Sequence, residues 1–200
     1  MGVKERKERQ KVEMQEAILD AALKLFSDEG YDNVTMRKIA NKIEYSVGTI
    51  YLYFKDKSEI FFELHTKGFA EFYQRQLSVQ HIKDPIERLT AHGEAYIKFA
   101  MDNPEYYDLM FISRSPEINL KESETWIEGE RTYDLLKLNI KQAMEEGHFK
   151  KVDLEIAAFS LWSFVHGMAS LYIRERLMMM PSEVIRPMIS GALQFLKRAY

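Results

Sequence analysis

The sequence predicts an all-α protein, and three observations support this fold class. Apolar residues recur three and four positions apart along most of the 200 residues, which is the spacing of one face of a helix. Helix start signals recur, as in Asp84-Pro85 and Asn103-Pro104. No segment alternates apolar and polar residues convincingly over the length of a strand, and no internal repeat is visible.

The N-terminal third predicts four helices. The first carries an apolar stripe and ends at Gly30, because glycine is the usual residue just past a helix C-terminus. The second begins near Thr35, the third has Ser46 as its N-cap, and the fourth runs from about Lys57 into the seventies. The stripe of the first helix consists of Met14, Ile18, Ala21, Ala22 and Leu25.

The remaining residues predict further helices separated by polar connections. One begins after Asp84 and the next after Asn103, and the stretch SRSPEINLKES is polar. Helices are then expected over about 125–146, over 154–178 and from about 183 to the end. Pro187 is expected in the first turns of the last helix, where proline is tolerated.

Composition excludes several classes of protein. The chain is 46% hydrophobic and 30% charged, as in soluble globular proteins, and it has no cysteine for a disulfide, a thiol nucleophile or a cysteine-rich metal site. We see no apolar stretch long enough for a bilayer, and the charged stretch KERKERQK does not suit a signal peptide. We therefore expect a cytoplasmic protein with no membrane partner.

The segment SVGTIYLYFKDKSE, residues 46–59, has two different faces. With Ser46 as N-cap, Ile50 and Phe54 lie one turn apart on the buried side. Gly48, Thr49, Leu52 and Tyr53 then point outward, Val47 and Tyr51 lie on the flanks, and lysines follow. A DNA major groove suits such a surface, because glycine permits close approach and tyrosine and lysine reach phosphates. An ordinary helical hairpin with exposed aromatic residues is the alternative.

The charge distribution agrees with a DNA-binding surface at this segment. Residues 35–57 hold five basic and two acidic residues, a balance of +3, whereas residues 58–200 hold 17 basic and 21 acidic residues, a balance of −4. A basic patch on an acidic body can bind nucleic acid without the whole protein doing so.

The stretch AALKLFSDEGYDNVTMRKIANKIEYSVGTIYLYFKDKSEIF, residues 21–61, resembles the N-terminal domain of the TetR family of bacterial transcription regulators. The resemblance implies a three-helix DNA-binding head with a helix-turn-helix at residues 1–56. A larger helical body for ligand binding and dimerisation would occupy residues 57–200. In the body, Trp162, His166 and Gly167 resemble a Trp-x-x-x-His-Gly signature of a TetR-type C-terminal domain.

The resemblance also assigns DNA contacts. It implies contacts from Thr35, Arg37, Val47, Gly48, Thr49, Tyr51, Tyr53 and Lys57, with Lys57 on a phosphate; Lys38, Ser46 and Lys55 complete the predicted surface. Two positions depart from the family pattern. Glu44 stands where the turn often has glycine, and Val47 is apolar where many relatives carry a polar reader. The arm KERKERQK is either a further DNA contact or a solvated tail.

An enzyme is not expected. The five histidines lack metal-ligand spacing, and neither a glycine-rich phosphate loop nor a Gly-x-Ser-x-Gly elbow is present. His166 is interpreted as a hydrogen-bonded core histidine rather than a catalytic base. The sequence therefore predicts no catalytic residue, no cofactor and no metal.

The body is rich in aromatic and methionine side chains, which are either plain core or the lining of an apolar pocket. The resemblance favours the pocket. Because the predicted lining offers no dense charge cluster, we expect an apolar or aromatic small molecule as effector rather than a phosphorylated metabolite. The predicted ligand-binding residues are Phe62, Tyr96, Phe99, Met110, Phe111, Trp126, Trp162 and His166.

The helix predicted at 154–178 is apolar nearly all round and carries a stripe of small residues: Ala157, Ser160, Gly167 and Ser170. We assign this stripe to a four-helix homodimer interface, with packing inside the monomer as the alternative. Together with the family resemblance, the sequence predicts a homodimeric, ligand-responsive regulator that acts as a repressor on a near-palindromic operator in double-stranded DNA, with an activator as the alternative role. The alternative function is an all-α protein-interaction module that has lost DNA binding.

Overall fold

The computed structural model of the chain describes residues 2–113, 127–148 and 152–197. These residues form helices and connecting turns without a β-strand, which confirms the all-α prediction. The helices are α1 (Val3–Glu29), α2 (Met36–Lys42), α3 (Val47–Tyr51), α4 (Lys57–Leu77), α5 (Pro85–Asp102), α6 (Pro104–Tyr107), α7 (Ile127–Glu145), α8 (Leu154–Ile173) and α9 (Ser182–Lys197). A 3-10 turn (Tyr31–Asn33) follows α1, and a π-helix (Asp108–Ile112) continues α6.

The chain forms two compact units. The head unit comprises described residues 2–68 and 105–113, and the body unit comprises 69–104, 127–148 and 152–197. Helix α4 therefore contributes its first part to the head unit and its last part to the body unit. The domain boundary predicted after residue 56 refers to function, and it does not coincide with the division between the two compact units after Gly68. It stays a prediction.

In the head unit, α1 packs against α2, and α2 packs against α3. The ring of Phe26 on α1 lies 5.6 Å from that of Phe61 on α4. Gly68 lets α4 approach the segment after α5, because a Cβ at this position would lie 2.6 Å from the sulfur of Met110 and 2.9 Å from Cδ1 of Tyr106. The arm is helical from Val3 onward, and both of its interpretations stay open.

In the body unit, α5 is the central helix and packs against α7, α8 and α9. It begins as the sequence predicted, with Asp84 accepting a hydrogen bond from the Glu87 amide and Pro85 in the first turn. An apolar cluster joins α5, α7 and α8 and consists of Ile86, Leu89, Leu136, Ile140, Ala143, Ala157 and Ala158.

A buried polar cluster lies beside these apolar residues. The guanidinium of Arg88 donates to Asn139 Oδ1 at 3.1 Å, to the Ile82 carbonyl at 2.7 Å and to Gln142 Oε1 at 2.5 Å. The Nδ2 group of Asn139 lies 3.3 Å from His92 Nδ1. One network therefore ties α5 to α7 and to the loop before α5.

The predicted helix over 154–178 is wrong at its C-terminal end, because α8 ends at Ile173. Glu175 adopts a left-handed conformation with φ of 52°, its amide donates to the Tyr172 carbonyl, and the Arg176 amide donates to the Leu171 carbonyl. This pair of bonds is a Schellman motif, which normally has glycine at its left-handed position. A glutamate there gives no stop signal that inspection of the sequence could recognise.

Candidate functional site

Two hydroxyl groups fix the helices of the helix-turn-helix. Thr35 accepts a hydrogen bond from the Lys38 amide at 3.2 Å, and Ser46 accepts one from the Thr49 amide at 3.2 Å. Both side chains are N-caps, so their oxygens satisfy amides that would otherwise lack partners at the helix starts. Thr35 and Ser46 therefore stabilise the first turns of α2 and α3, and both residues are exposed.

The buried face of α3 is the one that the sequence predicted, whereas Thr49 and Tyr53, which were predicted to point outward, are half-buried. Ile50 and Phe54 are 0% and 5% exposed, whereas Tyr51 and Leu52 are 54% and 81% exposed. A Cβ at the exposed Gly48 would meet only Ser46 Oγ, at 3.6 Å, so packing within the chain does not require glycine there. The exposed face of α3 thus presents apolar and small groups that contribute nothing to the core of the chain.

The turn between α2 and α3 keeps the geometry of a glycine turn without the glycine. Glu44 has φ of 61°, its amide donates to the Asn41 carbonyl, and the Tyr45 amide donates to the Ala40 carbonyl. This is again a Schellman motif, and the left-handed conformation costs a non-glycine residue about 1 kcal/mol. The departure from the family pattern at Glu44 therefore leaves the shape of the turn intact.

The predicted basic groups fall into two sets. Arg37 and Lys55 are exposed, whereas the ammonium of Lys38 forms an ion pair with Glu29 of α1. Lys57 is half-buried, and its Nζ donates to the Tyr31 carbonyl at 2.6 Å and lies 3.9 Å from the centre of the Tyr31 ring. Burial lowers the pKa of Lys57 from its usual value.

Part of the predicted effector site is assembled within the body unit. Tyr96 and Phe99 are buried on α5, and the Tyr96 hydroxyl lies 3.0 Å from Nδ1 of His166 on α8. The rings of His166 and Trp162 are 5.7 Å apart, and burial lowers the pKa of His166. The ring of Phe72 lies 5.1 Å from the rings of both Tyr96 and Phe99, although the sequence-based list omits it. Phe72 is one of several aromatic residues at helical spacing on α4, so the sequence offers no reason to prefer it.

Other predicted effector residues lie in the head unit. Met110 is buried, Phe111 is half-buried, and Phe62 is 42% exposed. Trp126 lies outside the described residues. The sequence analysis missed His65, a buried residue whose ring is hydrogen-bonded to the Met110 carbonyl and stacked on Phe61.

A surface cleft of the body unit lies apart from this site. The described residues contain no group of three or more metal-ligating side chains. A cleft of about 450 Å³ opens in the body unit, and it shares no residue with the predicted effector site. Its lining consists of Asp84, Ile86, Glu87, Gly147, His148 and Lys197.

The predicted dimer stripe is divided between two environments. Ser160 is exposed, and a Cβ at Gly167 would meet no atom within 4 Å. Ala157 instead lies in the core between α5, α7 and α8, so its assignment to the dimer interface is wrong for this structure. It lies at the edge of the stripe, about 60° around the helix from Ser160, where small residues serve the monomer core.

Helix α8 is apolar nearly all round, as the sequence predicted, and most of it is not buried within the chain. An 18-residue stretch of this 20-residue helix has a mean hydropathy of 1.4, and 22% of that stretch is buried. By length and composition alone it could cross a membrane, so our expectation that no stretch is long enough was too strict. Core helices of soluble proteins pass the same test, and α8 contributes Ala157, Ala158, Val165 and Ala169 to the core.

Comparisons with known proteins agree with this architecture. Residues 18–64 match the family described as bacterial regulatory proteins, tetR family, and residues 89–190 match the tetracyclin repressor-like C-terminal domain. The HTH-type transcriptional regulator HbdR of Aromatoleum sp. (strain CIB) is 27% identical over 164 residues, which are 78% of this chain and 69% of HbdR.

Two solved structures are similar over most of the chain. AibR in complex with isovaleryl coenzyme A and operator DNA is 26% identical, with a TM-score of 0.66 over 79% of this chain and 85% of AibR. FadR from Bacillus subtilis in complex with stearoyl-CoA shares the fold, with a TM-score of 0.75 and 18% identity over 90% of this chain and 96% of FadR. With the helix-turn-helix geometry and both domain matches, the chain belongs to the TetR family of bacterial transcription regulators.

Proposed function

We propose that this regulator is a homodimeric repressor that binds a near-palindromic operator and leaves it when a small molecule binds the body unit. The observation that carries the proposal is the exposed face of α3. Leu52 is 81% exposed, and packing within the chain does not require glycine at position 48. Both residues lie between the capped start of α3 and the basic residues that follow it. Base edges, thymine methyl groups and phosphates are the groups that such a surface complements.

We expect two single substitutions to weaken operator binding without changing helix content. Tyr51→Ala removes an exposed ring from α3, and Arg37→Ala removes an exposed charge from α2. Loss of one phosphate contact lowers the slope of log affinity against log salt by about 0.9. Fluorescence anisotropy on genomic fragments selected by the wild-type protein measures both quantities.

Lys83→Ala is the matched control for the charge, since Lys83 is exposed in the loop before α5. It changes the net charge by the same amount and should keep wild-type affinity and slope. Wild-type behaviour of both Tyr51→Ala and Arg37→Ala would contradict the DNA-binding surface. If the wild-type protein binds no genomic fragment, the protein-interaction module becomes the better description.

The effector is proposed to be an apolar or aromatic compound held by Tyr96, Phe99, Trp162 and His166. These side chains support the proposal because they combine aromatic rings with one hydrogen-bonded pair, Tyr96 and His166. Such a lining suits an apolar body with a single orienting polar group. The isovaleryl group of the AibR ligand has an apolar body of this kind, although its coenzyme A part is phosphorylated.

Trp162→Ala should raise the effector concentration needed for release from DNA about tenfold or more, which corresponds to about 1.4 kcal/mol of lost binding energy. The measurement is operator release by isovaleryl coenzyme A and by uncharged aromatic compounds, in parallel titrations. Met178→Ala is the control, since Met178 is an exposed apolar residue beyond α8. An effector whose potency is unchanged by Trp162→Ala and by Tyr96→Phe would rule out this site.

The homodimer is proposed to form through the uncovered faces of α8 and α9. Phe159 on α8 and Phe195 on α9 are large, exposed and apolar, and Gly167 lies on the exposed side of α8. We propose that these residues belong to one interaction surface, because large exposed apolar patches on soluble proteins mark protein–protein contacts. In a symmetric dimer the two helices of one protomer would pack on those of its partner.

Gly167→Leu should weaken the dimer by about 1–3 kcal/mol, because the larger side chain overpacks a close helix contact. A Cβ at this position meets no atom within 4 Å in the isolated chain, and leucine has the higher helix propensity, so the stability of the monomer should not fall. Light scattering over a dilution series measures the dimer, with Glu130→Leu on the exposed side of α7 as the control. A dimer of unchanged affinity would remove Gly167 from the interface.

A further inference from the structure

Two buried side-chain atoms among the described residues lack a hydrogen-bond partner, and both lie in the body unit. They are Oε1 of Gln76 on α4 and Nε2 of His92 on α5, in residues that are 3% and 4% exposed. Almost all buried polar groups in folded proteins are paired, because an unpaired one has lost its hydrogen bonds to water without replacement. A role in binding would explain why these two atoms are kept in the interior.

The hydrogen bonds from α7 make His92 Nε2 a donor. Asn139 Oδ1 accepts from the Arg88 Nε–H, which leaves the Asn139 amide group to donate to His92 Nδ1. Burial keeps the imidazole neutral by lowering its pKa to about 4. A neutral imidazole carries one proton, so the proton of His92 is on Nε2. His92 therefore offers an N–H donor, and Gln76 Oε1 offers an acceptor.

The hairpin of α4 and α5 brings the two residues to the same side of one aromatic contact. Residues 78–84 connect the helices, and so short a connection makes neighbouring helices antiparallel. The ring of Phe72 on α4 lies 5.1 Å from the ring of Tyr96 on α5. Gln76 follows Phe72 by one turn on the same face of α4. His92 precedes Tyr96 by one turn on the same face of α5, so both steps lead from the aromatic contact towards the connecting loop.

We infer that Gln76 and His92 form a polar end of the effector site and bind a hydroxyl group of the effector. The His92 Nε2–H donates to the hydroxyl oxygen, and the hydroxyl donates to Gln76 Oε1. A hydroxyl is a small neutral group that satisfies a donor and an acceptor at once. The apolar part of the effector then lies against the aromatic pair of Phe72 and Tyr96. Resting on the proposed ligand-responsive function, this assignment names the effector class as small apolar or aromatic compounds with a hydroxyl group.

Phenol and toluene are matched probes, because they differ only by a hydroxyl in place of a methyl group. Calorimetric titration of the free protein measures the affinity for each. Gln76→Met keeps the length of the side chain and removes the acceptor, so it should weaken phenol binding about tenfold and leave toluene binding unchanged. Gln74→Met makes the same change at an exposed position of α4 and should keep wild-type affinity for both probes. Phenol affinity that is undetectable, or that is unchanged by Gln76→Met, would overturn the inference.

Two further measurements test the same pair of atoms. Gln76→Met should not lower the thermal midpoint of the ligand-free protein, because it removes an unpaired polar atom from the interior. A lower midpoint with unchanged phenol affinity would indicate a bridging water in place of an effector hydroxyl.

Nitrogen-15 spectra of the histidine side chains should place the proton of His92 on Nε2, with His92→Gln identifying the signal. A proton on Nδ1 would contradict the donor role. All these measurements use the free protein, so a failure to bind DNA would reject the proposed repressor and leave the result for Gln76 and His92 valid.

Discussion

Replacing Arg88 with alanine is expected to lower the free energy of unfolding by about 3–5 kcal/mol, because it leaves one buried and two part-buried acceptors without donors. Asn139 is fully buried, and its Oδ1 receives the Arg88 Nε–H. The Ile82 carbonyl and Gln142 Oε1 lose donors in the same substitution. Urea denaturation followed by circular dichroism measures the change.

Arg88→Met separates the role of the donors from that of the apolar stem. It retains a side chain of similar length, so it should lose nearly as much stability as alanine if hydrogen bonding dominates. Arg131→Ala is the control, since Arg131 is an exposed residue paired with Glu128 at 3.1 Å, and its loss should cost less than about 0.5 kcal/mol. Equal effects of Arg88→Ala and Arg131→Ala would contradict the importance of the buried network.

Acidification from pH 7 to pH 5 should destabilise the protein through two buried histidines. Burial lowers the pKa of His92 from 6.5 to about 4, and burial also lowers the pKa of His65 from 6.5 to about 4, against a hydrogen bond to the Met110 carbonyl. Between pH 6.5 and pH 4 the unfolded chain binds more protons than the folded chain. The free energy of unfolding is therefore highest above pH 6.5 and falls as the pH decreases towards 4. Linkage gives a loss of about 2 kcal/mol per histidine at pH 5.

Burial disfavours the charged ring of His92, and its hydrogen bond with Asn139 suits the neutral ring. Asn139 Oδ1 accepts from Arg88, so the Asn139 amide group must donate to His92 Nδ1, which cannot carry a proton there. His92→Gln keeps an acceptor and removes the titration, so the stability difference between pH 7 and pH 5 should shrink by about half. His148→Gln, which removes an exposed imidazole, is the control. An undiminished pH dependence in His92→Gln would assign the acid loss to other groups.

Local signals in the sequence predicted the parts of the fold that depend on few residues. Asp84 before Pro85 specifies the start of α5, and Ser46 specifies the start of α3. The burial of Ile50 and Phe54 follows from helical spacing once that start is known. These features were predictable because each depends on backbone geometry over a single turn.

Features that depend on contacts distant in sequence were not predictable in this way. The partner of Lys57 is Tyr31, 26 residues away, and nothing in the sequence near Lys57 indicates it. Ala157 and Ser160 belong to one pattern of small residues, but only the packing of α5 and α7 against α8 separates a core position from an exposed one. The hydrogen bond between the side chains of Tyr96 and His166 likewise joins residues 70 positions apart.

The two helices that end on a left-handed glutamate leave a route for adaptation. Glu44 and Glu175, with φ of 61° and 52°, lie in different units, and each glutamate codon is one base change away from a glycine codon. Either change would relieve about 1 kcal/mol of backbone strain, and the two gains should add because the sites share no hydrogen bond. A lineage that alters its effector residues at some expense of stability can thus recover that stability in a single mutational step at a helix end.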